Sequence, residues 1–459
     1  MDKEKFIGNA KIAMVSQIIV LTLGIVKSLL IPITLSVSGY GYWQIYMFYL
    51  PYIGFCYLGY NDGIYLRYGK YDKDDLPYEK LRSSVILFLL LLFIECMIII
   101  PLCLGISDSN KQLAIIFVLL NIPIQGIYGT IIYILQITNQ IKKYCFYTLI
   151  DKVLFILYLF FFVFINNKNY LFLIIADIVT RLIVTVVLLN DNKKLIIGSV
   201  NFKEGLSEFF INIRVGFSLM IAAFLSMLFV GIGRFFIEMS GSINEYAYYS
   251  FGMSVINLLL SCFISIGTVI YPILKRADEK SLGKQFNLLS MYFELIANVG
   301  LFIYFGCYIV IQLFFIKYAP VLKYLNILFC LAIFQGKINL INNTFYKVLR
   351  EEKKMMRDNI KSTILFFLSC ILCQNVIWIA AATTIVMCHR CYDSEKFLRK
   401  KLVIENENRY KNELLMIFIF FISSLNVKFG FVLYFIYFFV YAYKNKSKYF
   451  SLLMLIRNK

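Results

Sequence analysis

Charged side chains are scarce in this chain of 459 residues. They make up 16% of it, whereas 60% of the residues are hydrophobic. A soluble globular domain carries about 25% charged residues, so this chain has too little polar surface to cover itself with in water. The composition therefore excludes a soluble protein and predicts an integral membrane protein.

Motifs that usually hold metals or nucleotides are also scarce. His389 is the only histidine. This excludes a metal site built on several histidines and a catalytic triad in which a second histidine supports the first. Cys388 and Cys391 flank it in MCHRC, at the end of an apolar run, and we expect a structural role for them rather than metal binding. The chain lacks a GxxxxGK[ST] loop, which excludes ATP binding by that route. We expect no metal and no resident cofactor, and whether a coupling cation (sodium or proton) is used stays open.

Long apolar runs make up most of the sequence. Most hold about 20 or more residues, enough to cross a hydrocarbon core of about 30 Å as a helix. They do not alternate apolar and polar residues, which excludes a transmembrane β-barrel. We predict about fourteen membrane helices, at 10–37, 41–66, 81–106, 112–139, 144–166, 169–189, 207–237, 245–273, 287–316, 320–346, 358–373, 375–392, 412–427 and 429–444.

The basic residues sort to one side of these predicted helices. With a cytoplasmic N-terminus, the even-numbered connections and the two termini hold 35 Lys and Arg residues. Lysine and arginine accumulate on the cytoplasmic side of membrane proteins, so both termini are predicted to be cytoplasmic. The net charge of +19 then reflects topology, and nucleic-acid binding is not expected, because no compact domain carries the basic residues. The odd-numbered, outer connections hold only Lys111, Lys168, Lys317, Lys323 and Lys428.

An internal similarity indicates two halves. The turn after the first predicted helix reads VSGYGYWQIY, and the turn after the seventh reads MSGSINEYAY. Six crossings return the chain to its starting side, so the two halves have the same orientation and enclose a central cleft. We predict an all-α fold with an N-terminal six-helix lobe (1–195), a C-terminal six-helix lobe (196–405), and two additional helices with a cytoplasmic tail (406–459).

Four segments, in order, resemble one transporter family, the polysaccharide and oligosaccharide flippases (O-antigen or capsular repeat-unit type) of the multidrug/oligosaccharidyl-lipid/polysaccharide exporter superfamily. They are GYNDGIYLRYG, ILQITNQIKKY, GIGRFFIEMSGSINEYAYYSF with the later YPILKR, and the stretch from APVLKYLNILF to NNTFYKVLREEKK. The resemblance covers residues from about 10 to 400.

This resemblance implies a flippase of the bacterial inner membrane and no catalytic residues. The implied substrate is an undecaprenyl-diphosphate-linked oligosaccharide, moved to the outer leaflet by alternating access for O-antigen, capsule or exopolysaccharide assembly. The implied partners are this lipid-linked glycan, membrane lipids, and a polysaccharide polymerase with glycosyltransferases.

Basic residues inside the predicted spans are candidate site residues, because a charge at membrane depth costs several kcal/mol and marks a pathway or a pair. Three have an acidic neighbour on their own helix and are expected to form ion pairs or to reach the interface: Lys152 beside Asp151, Arg181 four residues after Asp177, and Arg234 four residues before Glu238.

Lys27, Arg214 and Lys337 have no such neighbour on their own helices. A cleft lined by cations suits an anionic head group, and arginine can grip a phosphate with two parallel hydrogen bonds. We predict that these three bind the head group, with Arg181 and Arg234 as further candidates. Pairing between helices, with Glu95 for instance, is the alternative.

The second predicted helix ends at NDGIYLRYG, which contains the gate candidates Asp62 and Arg67. One interpretation is a local ion pair or helix cap formed by these two residues. The other is an inner gate, in which Arg67 meets an acidic group of the other half. Gly59 and Gly63 allow another backbone to approach this region closely.

Two other functions stay open. A cation-coupled multidrug exporter of the same superfamily would favour an acidic cavity, whereas the unpaired membrane charges here are mainly basic. A membrane glycan polymerase or ligase usually carries a large external loop, whereas the predicted outer loops are short.

Overall fold

The computed structural model describes residues 3–69, 71–275, 278–372, 375–404 and 409–446. Helices account for nearly all of these residues. No strand occurs in these ranges. Within them, nine helical segments are long and apolar enough to cross a membrane. The predicted all-α integral membrane fold is confirmed.

The chain divides into two compact units, Met1–Met227 and Leu228–Lys459. In the first unit α1 packs on α6, and α5 contacts α2, α3, α4 and α7. The helices of this unit are α1 (Lys3–Thr34), α2 (Val37–Tyr49), α3 (Tyr60–Tyr68), α4 (Tyr78–Cys103), α5 (Ser109–Ile137), α6 (Ile141–Phe164), α7 (Tyr170–Asp191) and the first part of α8 (Phe202–Ser240).

The second unit is built around α11, which contacts α9, α10, α14 and α15. Its helices are the last part of α8, then α9 (Ile243–Lys275), α10 (Glu279–Phe314), α11 (Leu325–Lys337), α12 (Asn343–Val348), α13 (Glu352–Leu372), α14 (Val376–Lys401), α15 (Arg409–Leu425) and α16 (Val427–Lys444). The division between the units falls inside α8, and the predicted boundaries at 195/196 and 405/406 stay a prediction.

Each of the fourteen predicted apolar runs coincides with helical structure, but two of them are not single helices. The run 41–66 breaks into α2, a 3₁₀ stretch at Leu50–Tyr57 and α3. Pro51 stands at the start of the 3₁₀ stretch and has no backbone N–H to continue the α-helix. Leu58 (φ 50°) and Gly59 (φ 82°) then take left-handed conformations that turn the chain into α3.

The predicted helix 320–346 is likewise interrupted. It comprises a 3₁₀ stretch at Ile316–Lys323, α11, a π-helical turn at Ile338–Asn342, and α12. Such π-turns inside α-helices are rare and occur often at functional sites. Lys337 directly precedes this one, so its side chain leaves the helix where the regular hydrogen bonding ends.

Candidate functional site

A cluster of charged side chains lies inside the first unit, where α1, α6 and α7 meet. Lys27 Nζ lies 3.7 Å from Asp177 Oδ1. Arg181 Nη2 lies 3.3 Å from Asp151 Oδ2, and Lys152 Nζ lies 2.8 Å from the same oxygen. These five residues, which we call the first-unit cluster, bring together two of the predicted head-group residues, Lys27 and Arg181.

The first-unit cluster carries three cations and two carboxylates, so one positive charge is in excess. Both carboxylates are buried, with side chains 5% and 7% exposed. The side chain of Lys27 is 25% exposed. The side chain of Lys152 is 44% exposed and that of Arg181 is 11% exposed, so Lys27 and Lys152 are the more accessible of the three cations.

Aromatic rings and one hydroxyl fix the position of Lys27 and its partner. Lys27 Nζ lies 4.2 Å from the ring centre of Phe155 and 4.9 Å from that of Trp43. Rings at these distances attract a cation through their π faces. Tyr46 donates a hydrogen bond of 2.9 Å from its hydroxyl to Asp177 Oδ2, which leaves this carboxylate less free to approach Lys27.

Two expectations about this cluster need correction. Arg181 was expected to pair with Asp177 on its own helix, but its ion pair joins Asp151 on α6, whereas Lys27 and the Tyr46 hydroxyl contact Asp177. Lys27 lies near a carboxylate of another helix, Asp177, instead of the suggested Glu95, and head-group binding by Lys27 stays a prediction.

The other two arginines lie apart from this cluster. Arg214 is exposed on α8 in the first unit, and it forms no ion pair or hydrogen bond within the part of the chain that the structure describes. Arg234 is half-buried in the second unit, and its Nε has no hydrogen-bond partner among the described residues. Head-group binding by either residue stays a prediction, as does the pairing of Arg234 with Glu238.

Lys337 lies in a second charged cluster, inside the second unit. Its side chain is 1% exposed, and its Nζ lies 2.5 Å from Glu395 Oε2 on α14 and 2.6 Å from Glu413 Oε2 on α15. Glu395 also pairs with Arg399 at 2.7 Å. An ammonium buried this deeply needs carboxylate partners to offset its lost hydration. Pairing between helices therefore describes Lys337, and its predicted role as a free cation for a bound anion is not supported.

A third polar group joins α3 to the first part of α8. Arg67 Nη1 donates hydrogen bonds to Glu208 Oε1 and, at 2.5 Å, to Asn212 Oδ1, and Nη2 donates to Glu208 Oε2 at 3.2 Å. The Tyr68 hydroxyl donates to the same glutamate. Arg67 thus makes the two-pronged contact with a carboxylate that gives geometric specificity as well as attraction.

Glycines let the backbones of α3 and α8 touch beside this group. A Cβ at Gly63 would lie 1.9 Å from the carbonyl oxygen of Asn212, and a Cβ at Gly216 would lie 2.0 Å from that of Gly59. Real side chains do not tolerate such distances, so glycine is required at both crossing points. The predicted close approach of another backbone at Gly59 and Gly63 is confirmed. We call this crossing, with its polar group, the α3–α8 contact.

The local ion pair expected at the helix-2 ending does not form, because Arg67 binds Glu208 and not Asp62, while the cap interpretation stays untested. Glu208 belongs to the predicted C-terminal lobe (196–405), although the first part of α8 packs within the first compact unit. An inner gate at Arg67 stays a prediction, and Asp62, half-buried in the first turn of α3, is not part of the contact.

The first part of α8 carries a sequence signal for this contact. Glu208, Asn212 and Gly216 follow one another at intervals of four residues. Residues spaced by four share one face of a helix, and a face with small and polar residues is typical of close helix pairs in membranes.

No family model matches the sequence, and no curated protein matches it. Solved structures match in fold. The structure described as "Lipid II flippase MurJ, inward closed conformation" is similar with a TM-score of 0.68, at 14% identity over 95% of this chain and 99% of that one. An "inward-facing conformation of a multidrug resistance MATE family transporter of the MOP superfamily" is similar with a TM-score of 0.59, at 14% identity over 85% and 96%.

The chain shares their fold. This agrees with the all-α membrane fold predicted from the sequence. A shared fold does not show which family the chain belongs to.

Proposed function

We propose that this protein is a flippase that moves an undecaprenyl-diphosphate-linked oligosaccharide from the inner to the outer leaflet of a bacterial inner membrane, for surface polysaccharide assembly. The shared fold supports a membrane transporter. The observation that carries the choice of an anionic lipid-linked substrate is the excess positive charge of the first-unit cluster. No bond is made or broken, so the activity is transport and not enzymatic catalysis.

The geometry of the cluster suits an anion that comes and goes. Lys27 and Asp177 are 3.7 Å apart, longer than the 2.7–2.9 Å typical of a charge-assisted hydrogen bond. A phosphate oxygen can therefore replace or join the carboxylate as partner of Lys27 without breaking a strong bond. Arg181, which pairs with Asp151 at 3.3 Å, keeps that carboxylate in place while the ligand binds.

The α3–α8 contact is the proposed inner gate. Alternating access needs one side of the pathway to close while the other opens. The contact combines a two-pronged ion pair with a crossing in which backbones touch, so it holds α3 firmly against the first part of α8; its opening in another state is part of the proposal. Arg67 and Glu208 are the residues proposed to hold it closed.

The membrane potential supplies part of the driving force in this proposal. A diphosphate that moves outward in an inside-negative cell gains about 2.3 kcal/mol per charge per 100 mV. The return of the emptied cationic cluster opposes that gain, unless a counter-cation, sodium or a proton, moves with it.

A cation-coupled multidrug exporter is the second candidate, because the fold is shared with a multidrug transporter. Its substrates are usually cationic, and the first-unit cluster would repel them. A glycan polymerase or ligase gains no support from the shared fold.

Deletion of the gene separates the two candidates. If the protein is a flippase, its loss should leave lipid-linked oligosaccharide on the inner leaflet, because the glycosyltransferases that build it stay active. The polymerase then receives less substrate, so the amount of surface glycan should fall. Unchanged surface glycan with raised drug sensitivity would favour the exporter.

A further inference from the structure

A cavity of about 900 Å³ opens in the second unit, and no member of the second-unit charged cluster lines it. The last turns of α10, the 3₁₀ stretch Ile316–Lys323 and the turn between α15 and α16 form its walls. Sites for small ligands usually have volumes of about 300–1,000 Å³, so the cavity is large enough for a lipid head group with part of its glycerol.

The lining carries positive charge only. Lys323 and Lys428 line the cavity, and none of its other lining residues is acidic. Both side chains are exposed, and neither forms an ion pair or a hydrogen bond with any residue that the structure describes. Two uncompensated ammonium groups facing one cavity attract an anion.

The floor of the cavity is aromatic and offers a hydroxyl. Tyr304 and Phe305 are 1% and 2% exposed and line the cavity. In the described ranges no residue hydrogen-bonds to the Tyr304 hydroxyl, which leaves it available to a ligand. Beside the opening, Ile309 and Leu313 on α10 are 54% and 68% exposed, which gives an apolar track for acyl chains.

The frame of the cavity is held by tight contacts. A Cβ at Gly430 would lie 1.6 Å from the carbonyl oxygen of Ser423, so α15 and α16 touch at their turn. Asn326 Nδ2 donates a hydrogen bond of 3.0 Å to Ser424 Oγ, which ties this turn to α11. The cavity is therefore formed before any ligand binds. Because binding does not have to order the walls, no entropy cost of ordering lowers the affinity of the cavity for a ligand.

We propose that this cavity binds the phosphate-bearing head group of an anionic glycerophospholipid. Phosphate chemistry explains the two lysines and the tyrosine hydroxyl, and the aromatic floor with the apolar track of α10 favours a lipid over a free phosphate ion. Lys323 and Lys428 both fall on predicted outer connections, so the lipid comes from the outer leaflet. This lipid is distinct from the transported substrate, and it fastens the α15–α16 pair to α10.

The test measures lipid retention by the purified full-length protein with native mass spectrometry, using phosphatidylglycerol, phosphatidylcholine and inorganic phosphate as probes. The wild type should retain phosphatidylglycerol in preference to phosphatidylcholine, and millimolar phosphate should not displace it. Each lysine attracts an anionic lipid electrostatically. Removal of both in K323Q/K428Q should therefore weaken phosphatidylglycerol binding about 30-fold.

The matched control is K111Q/K168Q, which removes two lysines of the predicted outer side that belong to the first unit and do not line the cavity. It should retain phosphatidylglycerol like the wild type. The lipid should also raise the thermal midpoint of the wild type and of this control, but not of K323Q/K428Q. Equal retention of both lipids, equal loss in the control, or displacement by phosphate would each overturn the proposal.

Discussion

The variant Lys337→Gln should destabilise the second unit strongly. In the wild type, Lys337 Nζ lies 2.5 Å from Glu395 and 2.6 Å from Glu413. Without the ammonium, Glu395 keeps Arg399 at 2.7 Å, but Glu413, 4% exposed, loses its only cationic partner in the described part of the chain. Breaking a buried ion pair by removing one member costs about 3–5 kcal/mol.

The double variant separates this effect from a role in transport. Glu413→Gln alone leaves Lys337 paired with Glu395, so it should lower the free energy of unfolding less than Lys337→Gln does. The double variant Lys337→Gln/Glu413→Gln should recover most of the stability that Lys337→Gln alone loses. We expect a coupling free energy of about 2–3 kcal/mol between the two positions, within the range measured for residues in contact.

The assay is denaturant unfolding of the purified protein, followed by fluorescence of Trp378 on α14 in the same unit. Lys347→Gln, an exposed lysine on α12, is the control and should leave stability unchanged. If Lys337→Gln unfolds like the wild type and yet abolishes transport, then Lys337 meets a substrate and our reasoning from the buried pairs is refuted.

Three further predictions concern the crossing, the gate and the topology. Gly216→Ala should lower stability by about 1–3 kcal/mol, because its Cβ would lie 2.0 Å from the Gly59 carbonyl oxygen; an unchanged melting temperature would contradict the direct backbone contact. Arg67→Glu should impair transport, and the exchanged pair Arg67→Glu/Glu208→Arg should restore part of the transport activity. If the exchanged pair is present at normal abundance but does not restore transport, the proposed gate is contradicted. Reporter fusions near residue 107 and after residue 459 should report opposite sides of the membrane, and the same side for both would contradict fourteen spans.

The sequence predicted the fold well because apolar length is a local property. All fourteen runs coincide with helical structure, and an error arose where Pro51 and a left-handed pair of residues interrupt a run that stays apolar throughout. The π-turn at Ile338–Asn342 was not predicted either, since its residues are ordinary for a membrane helix.

The candidate site was less predictable, because ion pairing depends on which helices are neighbours. Arg181 and Lys337 both find carboxylates on other helices, and a pattern within one helix shows only partners three or four residues away. The α3–α8 contact shows the same limit, because half of it was visible as Gly59 and Gly63, and the other half lies about 150 residues further along the chain.

The central claim is that the excess positive charge of the first-unit cluster binds the anionic head group of a lipid-linked glycan. The most direct measurement is translocation of undecaprenyl-diphosphate-linked oligosaccharide by the purified protein in vesicles, read as protection from an external glycosidase. We expect transport by the wild type, partial transport by Lys27→Arg and little by Lys27→Gln, each at equal protein content. Full transport by Lys27→Gln, or none by the wild type, would contradict the account.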